Sequence, residues 1–211
     1  MKTLSAKGII GGRIFITSVA VTLLAGLISA KAGLTFLSST YTVGHAPNCA
    51  TAADVNGDGS LDLISANYAD NALTVLTNSG GGIFSSNATI KVGIGPASVI
   101  AADISGNGKV DLVCANYGAG GGKTVTILTN NGSGVFGSNA TITVGIGPYC
   151  VIAADLKGAG KLDLVTANIG TNANGNTLTI LTNNGLGVLW FQCFAYGGKL
   201  SGFRHGSGRE W

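Results

Sequence analysis

The chain has 211 residues, of which 35 are Gly, 20 Thr and 17 Asn, with 10% charged and 45% hydrophobic residues. That mixture excludes a charged disordered chain and an alanine-leucine helical bundle, Gly without a three-residue period excludes collagen, and the surplus of Thr, Asn and Gly suits short strands joined by tight turns. The formal net charge of +3 averages unlike parts: residues 1–32 carry four cations and no acid, the segment from Leu189 carries three cations and one Glu, and the region between sets five Lys against eight Asp. The acidic middle offers no basic patch, so nucleic acid is excluded as a partner.

At the N-terminus, Lys2, Lys7 and Arg13 precede an uncharged apolar stretch from Ile14 to Ala30, and Ala30 and Ala32 flank Lys31 in a small-x-small pattern. These are the parts of an export signal, with cleavage expected after Ala32 and a secreted or cell-surface location. The 17 residues from Ile14 to Ala30 are at the lower edge of a bilayer span, so an uncleaved anchor is the competing reading, and the membrane is otherwise not a partner. Thr35 to Val43 then reads as a leading strand.

Three blocks follow, each opening on Ala-Asp: Ala53–Leu63, Ala102–Leu112 and Ala154–Leu164, spaced by 49 and 52 residues. The match continues through Ala-Asn at Ala66 and Ala115, Leu-Thr-Asn at Leu76, Leu128 and Leu181, and Asn-Ala-Thr-Ile at Asn87 and Asn139. A period near 50 signals a propeller or another repeat array. In the second repeat, strands are predicted over Val110–Ala115, Thr124–Thr129 and Ala140–Val144, with Val151–Ala154 entering the next loop, each bounded by Gly, Asn or Pro. Four-stranded antiparallel units at this period are propeller blades, so the fold class is all-β, an incomplete propeller of about three blades. Cys49, Cys114 and Cys150 fall inside these repeats and are read as small buried thiols, not disulfides, because equivalent positions in separate blades are too far apart to bridge.

Seven of the eight Asp between the two ends lie in three loops, at 54–62, 103–111 and 155–163, leaving Asp70 elsewhere. In the first loop Asp54, Asn56, Asp58 and Asp62 occupy positions 1, 3, 5 and 9, Gly59 permits a sharp turn at position 6, and Ser60 offers a carbonyl at position 7. Three carboxylates, an amide and a carbonyl make an oxygen cage for a hard cation, Ca²⁺, and match the first nine positions of an EF-hand loop. An EF-hand would continue with an acidic residue at position 12 and a helix, whereas position 12 is Ser65 within a strand-like run. The second loop keeps Asp103 and Asp111 around Ser105 and Asn107, with one carboxylate fewer, and is expected to bind more weakly. The third keeps Asp155 and Asp163, but Lys157 brings a cation into the cage and Ala159 supplies no ligand. No ion is expected there, and the Lys157 ammonium is placed to pair with Asp155 or Asp163.

With Phe136-Gly137, the loose Gly-x-x-Pro turns at Gly44, Gly93 and Gly145, and the acidic loops, residues 41–188 resemble the FG-GAP/VCBS repeat family, related to the integrin α-subunit propeller. The resemblance implies calcium in the loop between the first two strands of a blade. It assigns ligand roles to Asp54, Asn56, Asp58, Ser60 and Asp62, and in parallel to Asp103, Ser105, Asn107, Lys109 through its carbonyl, and Asp111. Two features depart from the family. Closed propellers usually have four to eight blades, and the last blade lacks a fourth strand of its own, which the leading strand could supply. Beyond residue 188 the repeat stops: both Trp and the only Glu lie in residues 189–211, a break that reads as a frameshifted or truncated end.

His45 and His205 belong to no Ser-His-Asp or His-metal constellation, and no Gly-x-Gly-x-x-Gly opens a helix, so no enzymatic activity is expected. The expected function is an exported calcium-binding scaffold for adhesion or binding, with calcium structural and an extracellular protein or carbohydrate as ligand. The alternatives are a module of a polysaccharide-acting lyase or hydrolase, and a non-functional gene fragment. The expected division is 1–32 export signal, 33–188 repeats and 189–211 anomalous tail.

Overall fold

The computed structural model describes residues 36–185 and 189–195, the latter and residues 138–139 as backbone alone. The export signal expected over residues 1–32 lies outside the described residues. Two units divide the chain, Met1–Ser39 and Thr40–Trp211, and the described strands all lie in the second.

Among the described residues twelve strands build three antiparallel sheets. The first holds β1 (Pro47–Ala53), β2 (Asp62–Asn67), β3 (Ala72–Asn78) and β4 (Phe84–Lys91); the second β5 (Pro96–Ala102), β6 (Asp111–Asn116), β7 (Thr124–Asn130) and β8 (Phe136–Thr143); the third β9 (Pro148–Ala154), β10 (Asp163–Asn168), β11 (Thr177–Asn183) and β12 (Leu189–Ala195). Within each sheet the strands pair in sequence order. These are blades of propeller type, and each acidic loop joins the first strand of its blade to the second.

Blades stack through alternate residues of their strands. Ile64, Leu73 and Val75 of the first blade pack with Val99, Leu112 and Leu128 of the second. Val113, Val125 and Ile127 of the second pack in turn with Val151, Leu164 and Leu181 of the third. Successive side chains of a strand point to opposite faces, so one strand serves both interfaces when both sets are apolar. That accounts for the nearly unbroken apolar run of β6, buried along its whole length. Full burial of each Val or Leu contributes about 1.5–3 kcal/mol.

Three sequence expectations are corrected. Residues 36–43 form no strand, so no leading strand completes the last blade; Tyr41 instead packs edge-on against Phe84 with ring centroids 5.2 Å apart. The third blade has its own fourth strand, Leu189–Ala195, paired from Thr177↔Ala195 to Asn183↔Leu189. Backbone pairing needs β-favouring residues, not the repeat's sequence, and this segment is rich in large apolar and aromatic ones. The fourth strand of the second blade starts at Phe136, four residues before the predicted Ala140, because a register shift between Ile127 and Leu128 absorbs an extra residue and lets pairing continue to Asn130↔Phe136.

Candidate functional site

All three acidic loops share one hydrogen-bonded frame. The position-1 carboxylate accepts main-chain N–H groups from the loop that bends over it: Asp54 from Gly57 at 2.7 Å and Gly59 at 2.8 Å, Asp103 from Gly106 and Gly108, both at 2.7 Å, and Asp155 from Ala159 at 3.0 Å and Gly160 at 2.7 Å. The loop turns this tightly because Gly57 and Gly59 hold φ of 78° and 86°, where a β-carbon is strained.

The position-9 carboxylates Asp62, Asp111 and Asp163 are buried and tie each loop to the far end of the third strand. Asp62 accepts N–H groups from Val55 at 3.0 Å and Asn78 at 2.8 Å. Asp111 accepts from Ser105 and Asn130, both at 3.0 Å. Asp163 accepts from Asn183 at 2.7 Å, but its second oxygen, Oδ2, is buried with no hydrogen-bond partner. The Lys157 ammonium lies 3.9 Å from Asp163 Oδ1, so of the two carboxylates expected to pair with it, Asp163 is the partner.

Apart from the loop N–H that Asp163 lacks, the loops differ at their centres. In the first loop Asn56 Nδ2 donates to Asp58 Oδ2 at 2.8 Å, the Asp58 N–H donates to Asn56 Oδ1 at 3.1 Å, and the Ser60 N–H donates to Asp58 Oδ1 at 2.7 Å. The Ser60 N–H, then the Asn56 amide, hold the Asp58 carboxyl below its ordinary range. In the second loop the Lys109 N–H donates to Asn107 Oδ1 at 2.9 Å, while the Lys109 ammonium reaches away to the Asn131 carbonyl at 2.6 Å. In the third loop the N–H groups of Gly160, then Ala159, depress the Asp155 carboxyl.

Among the described residues no three His, Cys, Asp or Glu side chains are gathered closely enough to share a metal ion. Main-chain donors close each loop over its position-1 carboxylate. By donor chemistry the first loop fits a hard divalent cation: Asp54, Asn56 and Asp58 are exposed or half-buried oxygen donors at its centre. The third, with Lys157 and Ala159 at those places, does not fit.

Several residues with defined roles were not singled out from sequence. Asn130 Nδ2 donates to the Val55 carbonyl of the preceding blade at 2.7 Å and to the Val110 carbonyl of its own at 2.9 Å. Asn183 repeats this stitch to Ile104 at 2.9 Å and Leu162 at 3.3 Å. The signal was the recurring Leu-Thr-Asn. Buried Asn116 donates to Thr124 and Thr126 Oγ1, both at 3.0 Å, and Asn168 does the same to Thr177 at 3.2 Å and Thr179 at 2.9 Å; the recurring Ala-Asn marked them. His45 has a partner the sequence did not suggest: its Nδ1 is 3.0 Å from Asp70 Oδ1, and its N–H donates to Asp70 Oδ2 at 2.7 Å. The His45 main-chain N–H, then its ring, hold the Asp70 carboxyl below its ordinary range. Cys49 is half-buried and Cys114 buried, but Cys150 is exposed, because among the described residues no further blade covers β9 on its outer side. Burial raises the Cys114 thiol well above its ordinary value.

A family model for the FG-GAP-like repeat matches residues 54–114 and again 105–166, together more than half of the chain. No curated protein matches. Similar solved structures include the hydrazine synthase of Kuenenia stuttgartiensis, 19% identical with a TM-score of 0.49, covering 70% of this chain and 37% of that one. A functionally unknown protein from Desulfotomaculum acetoxidans is 13% identical with a TM-score of 0.48, covering 70% and 43%. A putative 6-phosphogluconolactonase from Bacteroides uniformis is 12% identical with a TM-score of 0.34, covering 69% and 53%. The chain thus spans between 37% and 53% of the length of these structures.

Proposed function

The chain belongs to the FG-GAP-like repeat family, and from that premise we propose that it is an exported, non-catalytic, calcium-binding scaffold that presents its blades to an extracellular protein or carbohydrate. Calcium is structural in this reading. Asp54, Asn56, Asp58, Asp62 and the Ser60 carbonyl hold it in the first loop; Asp103, Ser105, Asn107, Asp111 and the Lys109 carbonyl hold it more weakly in the second. The ion neutralises carboxylates that repel one another, so its binding free energy adds to folding. Export rests on the cationic, apolar and small-residue succession of residues 1–32.

One observation carries the calcium reading. The frame carboxylates at positions 1 and 9 recur in all three loops with main-chain partners, whereas the half-buried Asn56 and the exposed Asp58 add an amide and a carboxylate that this frame does not require. Thermal melting of the full chain in excess chelator and across a calcium titration tests it. The melting temperature should rise with calcium in the wild type and much less in Asp58→Ala. An unchanged melting temperature at millimolar calcium would sink the calcium role while leaving the scaffold intact.

A further inference from the structure

We propose that the end of the blades opposite the acidic loops binds an uncharged saccharide, seated on Tyr149 where the second and third blades meet. The inference rests on the reading of this chain as a scaffold and names carbohydrate as its ligand. Blade topology sorts the side chains between two ends. The loops from first to second strand and the turns from third to fourth share one end, with seven of the eight Asp. The turns from second to third strand and the connections between blades share the other, with Tyr68, Tyr117 and Tyr149. Tyr117 meets Tyr149 edge-on across the junction of their blades, with ring centroids 5.3 Å apart and planes at 89°, so each ring braces the other. Tyr149 is nonetheless 48% exposed. Among the described residues none of these three hydroxyls is hydrogen-bonded and all are open to solvent, whereas Tyr41 donates to the Gly82 carbonyl at the acidic end at 3.0 Å. The backbone strain is at the tyrosine end too. Ala46, Asn71, Ala119, Asn172 and Ala173 hold φ from 52° to 58°, and all five lie in its turns. At the acidic end every described residue of positive φ is Gly. Gly would relieve each strained position, so this end keeps side chains against their backbone preference, the pattern of a site held in shape for a ligand.

The occupant follows from charge and hydrogen-bonding character. Of the charged groups at this end, His45 and Asp70 pair at 3.0 Å and the Lys91 ammonium donates to the Asp70 carbonyl at 3.0 Å, which leaves Lys123 among the described residues. An ionic ligand finds no matching cluster there. Ile94 and Ile146, 72% and 45% exposed, lie in separate blade connections, short of the broad apolar centre that a protein interface needs. What this end offers is an exposed aromatic ring beside uncommitted polar groups, the combination that lines small-molecule sites. The turn at Thr171–Ala173 is fastened to the turn of Tyr117, Thr171 Oγ1 donating to the Gly120 carbonyl at 3.3 Å and the Gly120 N–H to the Tyr117 carbonyl at 3.0 Å. It brings the exposed amides of Asn172 and Asn174 to the same junction. A sugar is the complement of such a surface: the C–H groups on one face of its ring cover the tyrosine, and the hydroxyls around its edge meet the amides and the phenol oxygens.

Saturation-transfer NMR on the full chain with cellohexaose, mannohexaose and maltohexaose tests this, using Tyr149→Ala, Tyr149→Trp and, at the acidic end, Ile83→Ser. Both positions are exposed, so far-ultraviolet circular dichroism and melting should match the wild type. At least one of the three oligosaccharides should receive saturation, with a Kd of about 1 mM. Tyr149→Ala should weaken that binding about tenfold or more, Tyr149→Trp should preserve or tighten it, and Ile83→Ser should leave it unchanged. No transfer to any of the three at about 10 mM, tenfold above a millimolar Kd, would overturn the saccharide site and leave a protein as the ligand. Transfer undiminished in Tyr149→Ala would overturn its placement on this end. Melting of the same samples in calcium and in chelator reports separately on the calcium-bound scaffold, so a lost saccharide site and a failed scaffold are told apart.

Discussion

The first and third loops are built on one frame and filled with opposite charges. In both, a position-1 carboxylate gathers loop N–H groups and a buried position-9 carboxylate fastens the loop to the end of the third strand. At the centre the first has Asn56 and Asp58, while the third has Ala159 and the Lys157 ammonium beside Asp163. The recurring Asp residues are thus explained by folding in every repeat, and the proposed calcium binding rests on the two positions that vary. The third loop carries its own cation, Lys157, on the Oδ1 side of Asp163, whose other oxygen is buried without a hydrogen bond.

The largest effect should come from breaking the frame itself. Asp62→Ala strands the N–H groups of Val55 and Asn78, both bonded to that carboxylate, and should cost about 3–6 kcal/mol, because each hydrogen bond to a charged group contributes roughly 1.5–3 kcal/mol. Asp163→Ala removes one such bond together with the uncompensated oxygen, and should cost less. Urea unfolding in excess chelator compares the two; equal losses would contradict the assignment of Asp62 as the more fully satisfied clamp.

Exchanging the loop centres sharpens the contrast. Lys157→Asn with Ala159→Asp gives the third loop the donor set of the first. The double variant should acquire an additional calcium-dependent rise in melting temperature of about 5–10 °C at a calcium concentration ~100 times Kd. No additional rise would mean that the loop's charge pattern is insufficient to create a site. Next in size, Asn130→Ala cuts the stitch between the first and second blades and leaves the Val55 and Val110 carbonyls without their donor, for a loss of about 1–3 kcal/mol. Calcium should not restore it, and a full rescue by calcium would place Asn130 with the loop instead of the interface.

Much of this architecture is legible in the amino-acid sequence. The period near 50 residues, the two-sided apolar run of β6 and the acidic loops are local patterns, and local patterns carry blade, strand and loop directly. What escapes is long-range. Asn130 reaches a carbonyl 75 residues away and Asn183 one 79 residues away, separations at which sequence shows that a residue recurs but not what it touches. His45 meets Asp70 across the turn that follows β2, although a histidine in a Gly-x-x-Pro turn looks unpartnered in sequence. The fourth strand of the third blade is hidden for the opposite reason. Leu189–Ala195 pairs through its backbone, and a departure from the repeat's side chains conceals a strand that the ladder does not require those side chains to form.

The smallest effect separates the two loops by acid. Asp58 and Asp155 both have folded pKa values below the ordinary value of 3.8, the first held down by the Ser60 N–H and then Asn56, the second by the N–H groups of Gly160 and Ala159. A carboxyl depressed in the folded state contributes stability that is present above its unfolded pKa and is lost as pH falls through its folded one. The loss for each should therefore begin as pH approaches 3.8 from above and be complete below the folded value. Asp155→Asn should flatten stability against pH in this acid window, and any small loss it causes near pH 7 should be the same with and without calcium. Asp58→Asn should flatten the same window in chelator and, unlike Asp155→Asn, also lower the response to calcium at neutral pH. Carboxyl chemical shifts followed through an acid titration check the assignments. Asp58 or Asp155 titrating at or above its unfolded value would remove the main-chain N–H groups as the cause and with them the account of how these loops close.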